Sequence, residues 1–444
     1  MNTKPKQINN RQPAFFLVAF VLVLSTLAFG KNAISLLTEL TTIERAAANP
    51  LSALMLIIAT ISLLLIALRW MLHLILLMIP SRPAPEFSNE IPVTAVIPAY
   101  NEEKGICRTI ESLAAQDYEN LEIIVIDDGS KDKTLQLARD CAAELNQNIR
   151  VLTQKNGGKS TALNHGFREG TGSLFLTVDA DSELASDAVS RMVRWFSDPT
   201  VDAVAGQVKV SNRDSAITKL QALEYLIGNT VYRRAQSLFG SVLLAPGPIA
   251  MYRVASLKEI SDNARRPSIF LNDTFAEDFE ITVAMLVKDK RVVFDPDAIA
   301  YTIAPNTLTA LVSQRYRWIR GNMQVCKKFL RVINTEQCPG RMRTLFWMSP
   351  TFLFELALLP IIVLFSISGL LTSSIAGYEL PQLEWLLVVP LLTLCIGVIS
   401  VYVQRDKVSS LVVVPVYDVV YGMILTVVWM IAAIDEARSS KMNW

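Results

Sequence analysis

Residues 93–102 read Val-Thr-Ala-Val-Ile-Pro-Ala-Tyr-Asn-Glu, a short apolar, β-branched run that stops at Pro98 and gives way to Tyr100, Asn101 and Glu102. Such a run bounded by a breaker is a buried strand rather than a helix. The same design recurs downstream. Residues 122–126 run into Asp127-Asp128-Gly129-Ser130, residues 150–153 into the loop from Lys155 to Lys159, and residues 174–178 into Asp179-Ala180-Asp181. Helical patterns begin near Glu103, Lys133, Ser160 and Ser186, so strands alternate with helices, which predicts an α/β domain on a parallel sheet. In such sheets ligands bind beyond the carboxyl ends of the strands, and there this sequence concentrates its acids and breaks.

Outside this stretch the composition changes. The chain has 444 residues, 51% hydrophobic against 19% charged, too apolar for an ordinary soluble enzyme. The excess sits at the two ends, in apolar runs 15–30, 51–68, 345–371, 385–403 and 411–434, which predict two spans before the α/β domain and about three after it. Lys4, Lys6 and Arg11 place the N-terminus in the cytoplasm, so a two-span hairpin returns the chain there and the middle domain is expected to be cytoplasmic. Five spans would leave Trp444 outside, against the pull of Arg438 and Lys441. The expected organisation is 1–80 a transmembrane hairpin, 81–306 the α/β domain, 307–344 amphipathic interface helices and 345–444 a C-terminal transmembrane region. Glu355 and Asp418 are the acids inside predicted spans, expected to face a polar path or to lie at the boundary. A formal charge of +1 gives no case for a nucleic-acid partner. Five scattered cysteines suit a reduced compartment, and two histidines argue against His-rich zinc sites and His-dependent triads.

Each polar break has two readings. Asp127-Asp128-Gly-Ser makes a polar turn with a helix cap, or a ligand-binding strand end. Asp179-Ala-Asp181 presents two carboxylates that can share a divalent cation and leave its other positions to water and phosphate. The 155–159 loop is a basic turn, or a diphosphate cradle at a helix start. Glu277-Asp278 is an acidic first helical turn, or holds a base. On a predicted helix over 308–330, Gln314, Arg317 and Trp318 share a face. An interfacial helix would instead turn Arg315, Arg320, Lys327 and Lys328 to lipid headgroups and Leu311, Trp318, Val325 and Phe329 to the bilayer.

Taken in order, Pro-Ala-Tyr-Asn-Glu102, Asp-Asp128-Gly-Ser, Gly-Lys159, Asp179-Ala-Asp181, Glu277-Asp278 and Gln314-Arg-Tyr-Arg317-Trp318 resemble the membrane-integrated family 2 glycosyltransferases that build polysaccharides from nucleotide sugars. The likeness covers roughly residues 91–321 and is nearest to poly-N-acetylglucosamine synthases, then hyaluronan and chitin-oligosaccharide synthases. It implies a GT-A-type, Rossmann-like domain between transmembrane helices in the inner membrane, and a processive, inverting transfer from a UDP-sugar, UDP-N-acetylglucosamine first among them. By the resemblance, Glu102, Asp127, Asp128, Lys159, Asp179, Gln314, Arg315 and Arg317 bind donor. Asp179 and Asp181 hold Mg²⁺ or Mn²⁺, Asp278 is the general base, and Gly247, Pro248, Glu277 and Trp318 meet the acceptor. The implied partners are the donor, the growing polysaccharide and membrane lipids, with room for an accessory membrane subunit. Two departures stand out: Ala276 precedes the acid pair where many relatives have Thr or Gly, and no gating segment precedes Trp444. Two rivals are a non-processive transferase loading a lipid carrier, and a transporter with a nucleotide-binding regulatory domain. The second lacks a Gly-x-x-x-x-Gly-Lys-Ser/Thr loop.

Overall fold

The structure, a computed structural model, describes residues 68, 71–77, 79, 91–145, 148–261, 266–335, 338–351 and 383–440. The expected span 15–30, all of the expected span 51–68 but its last residue, most of 345–371, and Glu355 lie outside the described residues. The chain divides into two compact units, residues 81–356 with 427–444, and residues 1–80 with 357–426.

The first unit opens with β1 (Val93–Ala99), α1 (Ile106–Ala114), β2 (Leu121–Asp127), α2 (Thr134–Leu145), β3 (Ile149–Thr153), α3 (Lys159–Glu169) and β4 (Leu174–Thr177). It continues with β5 (Ser182–Leu184), α4 (Ala188–Arg194), β6 (Ala203–Val210), α5 (Ala216–Ile227), α6 (Arg234–Leu238), β7 (Ala250–Arg253), α7 (Val254–Ser261), α8 (Glu277–Val287), β8 (Val292–Thr302), α9 (Leu308–Thr335) and α10 (Arg341–Thr351). Nearly every residue of β1 is buried, as is all of β4, which is why these strands read as continuous apolar runs. One face of the sheet, with Ala95, Ile97, Val125 and Leu176, packs on Ile106, Ile110 and Leu113 of α1 in a shared core.

The expected parallel sheet holds for six of the eight strands, β7 and β5 running the other way. Eight strands lie in the order β3-β2-β1-β4-β7-β6-β8-β5. The first four are mutually parallel, but β7 runs antiparallel to both β4 and β6, and β5 antiparallel to β8. The sheet is therefore mixed. The apolar stretch 242–245 forms no strand: Gln236 Oε1 accepts from the Leu243 N–H and Thr282 Oγ1 from that of Ala245. Side chains thus take the hydrogen bonds a ladder would have needed, and the strand forms later, at β7.

Helix α9 extends to Thr335, beyond the expected 330, and its packing corrects the lipid-facing assignment. Leu311, Val325 and Phe329 are buried within the protein. Arg315 pairs with Glu224, Arg320 with Glu436, and Lys328 with Asp273 and Glu280; of the four cations only Lys327 is exposed. Glu280, fully buried on α8, also takes both terminal nitrogens of Arg266 at 2.8 Å. Burying a carboxylate is costly unless it is fully paired, as here, so α8 and α9 are locked together around it.

In the second unit α11 (Leu383–Gln404) is an apolar helix. Among the described residues one helical run, Val408–Ala437 (α12), is long and apolar enough to cross a membrane. Asp418 within it accepts a hydrogen bond from Thr393 Oγ1 at 3.0 Å.

Candidate active site

The strand ends expected to bind ligand converge, but not all in the same role. Asp127 accepts from Thr153 Oγ1 at 3.0 Å and from the Ser130 N–H at 3.3 Å. Asp128 accepts from the backbone N–H groups of Gly157 (3.0 Å) and Gly158 (2.8 Å) and from Gln154 Nε2 (2.7 Å). Both aspartates are buried, and between them they shape the 154–158 loop that delivers Lys159.

Lys159, the first residue of α3, is the hinge of the constellation. Its Nζ lies 2.7 Å from Asp179 Oδ1 and 2.7 Å from Glu277 Oε1, so one ammonium joins the Asp-x-Asp loop to the first turn of α8. Desolvation works against its charge, yet Asp179, Glu277 and Asp278 outweigh this and hold the ammonium well above the ordinary lysine value. Burial alone would raise Glu277, but Lys159 more than offsets this and keeps it below the ordinary range.

The next residue behaves oppositely. Burial first, and then the neighbouring Glu277 charge, push Asp278 up to about 6. One oxygen accepts from the Phe279 N–H at 2.8 Å and the other from the Gly247 N–H at 3.2 Å. These bonds fix the carboxylate at the α8 N-terminus without a cation of its own, the arrangement a general base near neutral pH requires.

Gly247 is tightly enclosed. A Cβ there would lie 2.6 Å from Lys159 Nζ and 3.0 and 3.1 Å from the two Asp179 oxygens. Gly247→Ala is therefore expected to displace the Lys159–Asp179 pair and lower the turnover rate about tenfold while leaving the melting temperature nearly unchanged, which initial rates and thermal unfolding of the two proteins would check. Pro248 follows it in the same turn.

Around the Asp-x-Asp loop the acids crowd one another, with Lys159 on Asp179 as a counter-charge. Glu102 is pushed up to about 7 by burial and then by Asp181, Asp179 and Asp132. Burial and then Asp179 push Asp181 up to about 6. Among the described residues no cluster of three or more His, Cys, Asp or Glu forms a ready-made metal cage. Asp179 and Asp181, one residue apart at a strand end, nonetheless suit a hard divalent cation whose remaining positions go to water and phosphate oxygens, so the donor set fits Mg²⁺ or Mn²⁺.

On α9 the four residues of the motif divide. Arg315 is buried, with its Nη2 2.6 Å from Glu224 Oε2, its Nη1 donating to Gln314 Oε1 at 2.7 Å, and its guanidinium 4.2 Å over the Trp318 ring. Trp318 stacks on Tyr225 with centroids 6.3 Å apart. Arg317 is exposed, and its charge reaches Glu277. Arg315 thus braces the aromatic stack, while Arg317 faces the site.

Sequence reasoning missed Glu224 and Tyr225, which support Trp318 from α5. It also missed Gly105, where a Cβ would meet the Ala180 carbonyl at 2.9 Å. Ala180 is held from the same helix by Thr109 Oγ1 at 2.9 Å. None of these stands beside a motif, and only the packing of α1 and α5 reveals them.

Residues 94–261 match the family described as Glycosyl transferase family 2. The chain is 34% identical over 258 residues to an N-acetylglucosaminyltransferase of Rhizobium leguminosarum bv. viciae, covering 55% of this chain and 59% of the relative. It is 31% identical over 251 residues to a poly-beta-1,6-N-acetyl-D-glucosamine synthase of Staphylococcus aureus (strain COL), covering 56% and 58%. The match thus spans less than two thirds of either relative. Among solved structures, a mannosyltransferase from Pyrobaculum calidifontis in complex with GDP-Man and Mn²⁺ superimposes with a TM-score of 0.62 at 20% identity, over 86% of this chain and all of that one, a likeness of fold.

Proposed function

We propose, from the premise that the chain carries a family 2 glycosyltransferase domain, that it is a processive, inverting β-glycosyltransferase that polymerises sugar from a UDP-sugar, UDP-N-acetylglucosamine first among the candidates. The observation that carries this is the Asp179–Lys159–Glu277 chain, which sets the paired acids of the donor side beside Asp278. Asp278 takes the proton of the acceptor hydroxyl. The freed oxygen attacks the anomeric carbon from the face opposite the diphosphate, the C–O bond to phosphate breaks, and its electron pair leaves on UDP. Inversion follows from this single displacement. Lys159 and Arg317 supply positive charge as the leaving group becomes more negative. Asp179 and Asp181 would hold Mg²⁺ or Mn²⁺, which when bound supplies Lewis-acid stabilisation of that diphosphate. Glu102, Asp127, Asp128 and Gln314 complete the donor side, directly or by shaping its loops, Gly247, Pro248 and Trp318 the acceptor side, and Arg315 braces Trp318 in place of a direct donor contact.

The apolar character of α11 and α12, with the apolar runs at the N-terminus, supports a multi-pass protein of the inner membrane whose catalytic domain is cytoplasmic and whose spans pass the product outward. Membrane lipids and the growing polysaccharide are then its partners, with room for an accessory membrane subunit.

Protein purified in detergent, supplied with Mg²⁺ or Mn²⁺ and a panel of UDP-sugars, is expected to release UDP from one of them and to yield a ladder of long products. A single-sugar product on a lipid carrier would replace processive synthesis by the non-processive reading, and no UDP release from any donor would overturn both.

A further inference from the structure

The helix that carries Asp278 starts without a cap of its own. Ala276 precedes Glu277 at the head of α8, and no side chain there accepts from the N–H groups of the first turn. The approach to the helix is held from outside instead, by α9. Gly321 packs so close that a Cβ there would lie 2.9 Å from the Ala276 nitrogen and 2.9 Å from the Phe275 carbonyl carbon. Gln324, further along the same helix, accepts from the Phe275 N–H through its Oε1 at 3.2 Å, and the Arg320 guanidinium lies 5.9 Å from the centre of the Phe275 ring. Residues 275 and 276 are therefore placed by α9, and the base follows them directly.

The side chains that do this are themselves tied to the end of α12. Tyr316, Arg320 and Gln324 recur every four residues and so share one face of α9. Tyr316 Oη donates to Asp435 Oδ2 at 2.7 Å and accepts from Arg320 Nη1 at 3.1 Å, while Arg320 Nη2 donates to the Ser440 carbonyl. Glu436 Oε2 takes both Arg320 Nε at 3.1 Å and Gln324 Nε2 at 3.0 Å. Residues 427–444 fold with residues 81–356, so all of these contacts lie within one unit. A carboxylate only accepts, so Glu436 draws the amino end of the Gln324 amide and leaves the carbonyl end for the Phe275 N–H. The same carboxylate neutralises Arg320, whose side chain is buried and costly to leave unpaired. One acid thus sets both the polarity of the amide and the place of the guanidinium over Phe275.

We infer that Gln324, its amide oriented by Glu436, is a positioning residue for Asp278: by holding the Phe275 N–H it fixes the first turn of α8, and with it the carboxylate that takes the acceptor's proton. That carboxylate meets the Gly247 N–H at 3.2 Å, the long end of the hydrogen-bond range, so a small tilt of the turn breaks the contact and moves the base off line. The inference rests on Asp278 being the base, as under the proposed function. It adds that the residues just past the apolar run of α12 determine where that base stands.

The test is a double-mutant cycle against the base. UDP release from the donor that the parent turns over, UDP-N-acetylglucosamine first among them, and calorimetric binding of UDP with Mn²⁺ are measured for the full-length parent, Gln324→Met and Glu436→Gln, each with Asp278 intact and with Asp278→Asn. Methionine keeps the length of the side chain and leaves the Arg320–Glu436 pair in place. With Asp278 intact, Gln324→Met is expected to lower kcat about tenfold, with KM for the donor and UDP affinity within about twofold. With Asp278→Asn it should change the residual rate less than about twofold, because no base remains to be misplaced. Glu436→Gln should follow the same pattern, and it carries the test alone if Gln324→Met fails to fold. Combining Gln324→Glu with Glu436→Gln exchanges the two groups, keeps an acceptor for the Phe275 N–H, and should restore kcat to within about threefold of the parent. An equal loss in both backgrounds, a loss of UDP affinity matching that of kcat, or an unchanged kcat in the single variants would overturn the positioning role and leave the base reading intact. Full turnover in Asp278→Asn alone would overturn the base reading, and the inference with it.

Discussion

Asp278→Asn is expected to lower the rate of sugar transfer by about 10²- to 10⁴-fold, the range a positioned general base contributes, while UDP binding stays within a few fold. Asparagine keeps the size of the side chain and an oxygen to accept from the Gly247 and Phe279 N–H groups, so α8 keeps its start. What it loses is basicity. The pH dependence gives an independent sign. A base must be ionised to act, and Asp278 is held up at about 6 by burial and by Glu277. In the parent, kcat/KM should be level above about pH 6 and fall roughly tenfold per unit below it. The residual activity of the variant should lack that limb. Saturating Mg²⁺ or Mn²⁺ is needed in this comparison, because Asp181 also titrates at about 6 in the metal-free protein. Turnover retained in Asp278→Asn would leave Asp278 as an acid at a helix start and no more.

The second large effect is at the Asp-x-Asp loop. Asp181→Asn removes one of two anionic groups available to a divalent cation, and a loss of about 10²- to 10³-fold in rate is expected from weaker stabilisation of the departing diphosphate. The metal concentration needed for half-maximal rate should rise with it. Folding should hardly change, since the Asp181 side chain accepts from Ser182 Oγ at 3.2 Å and joins no ion pair among the described residues. The substitution also relieves repulsion: with the Asp181 charge gone, the Glu102 carboxyl, now pushed up to about 7, should move back toward its ordinary value. Rates against metal concentration, with and without chelator, check the first expectation, and NMR titration of Glu102 the second. Near-parental activity in the variant, or indifference of the parent to chelator, would remove the metal from the mechanism.

Much of this was legible along the chain because it is local. A strand buried on both faces must be apolar throughout, so β1, β2 and β4 announced themselves within a residue or two of their ends. A chain that turns at the carboxyl end of such a strand must do so with polar and small residues, which placed Asp127, Asp128, Asp179 and Asp181 at strand ends before any coordinates. The acids of α8 and the run of α9 were equally plain, since both follow from helical spacing.

The sequence by itself therefore determined the α/β class, the first four strands in parallel and the acids that gather at their ends, because each of these depends on residues within a few positions of one another. Only the tertiary structure decided the antiparallel β7, the bond from Lys159 to both Asp179 and Glu277, and the burial of Arg315 under Trp318. Partners separated by roughly 20 to 120 residues leave no periodic mark, and whether an arginine meets a lipid, a carboxylate or a substrate is settled by desolvation and charge in three dimensions, to which spacing along the chain is blind.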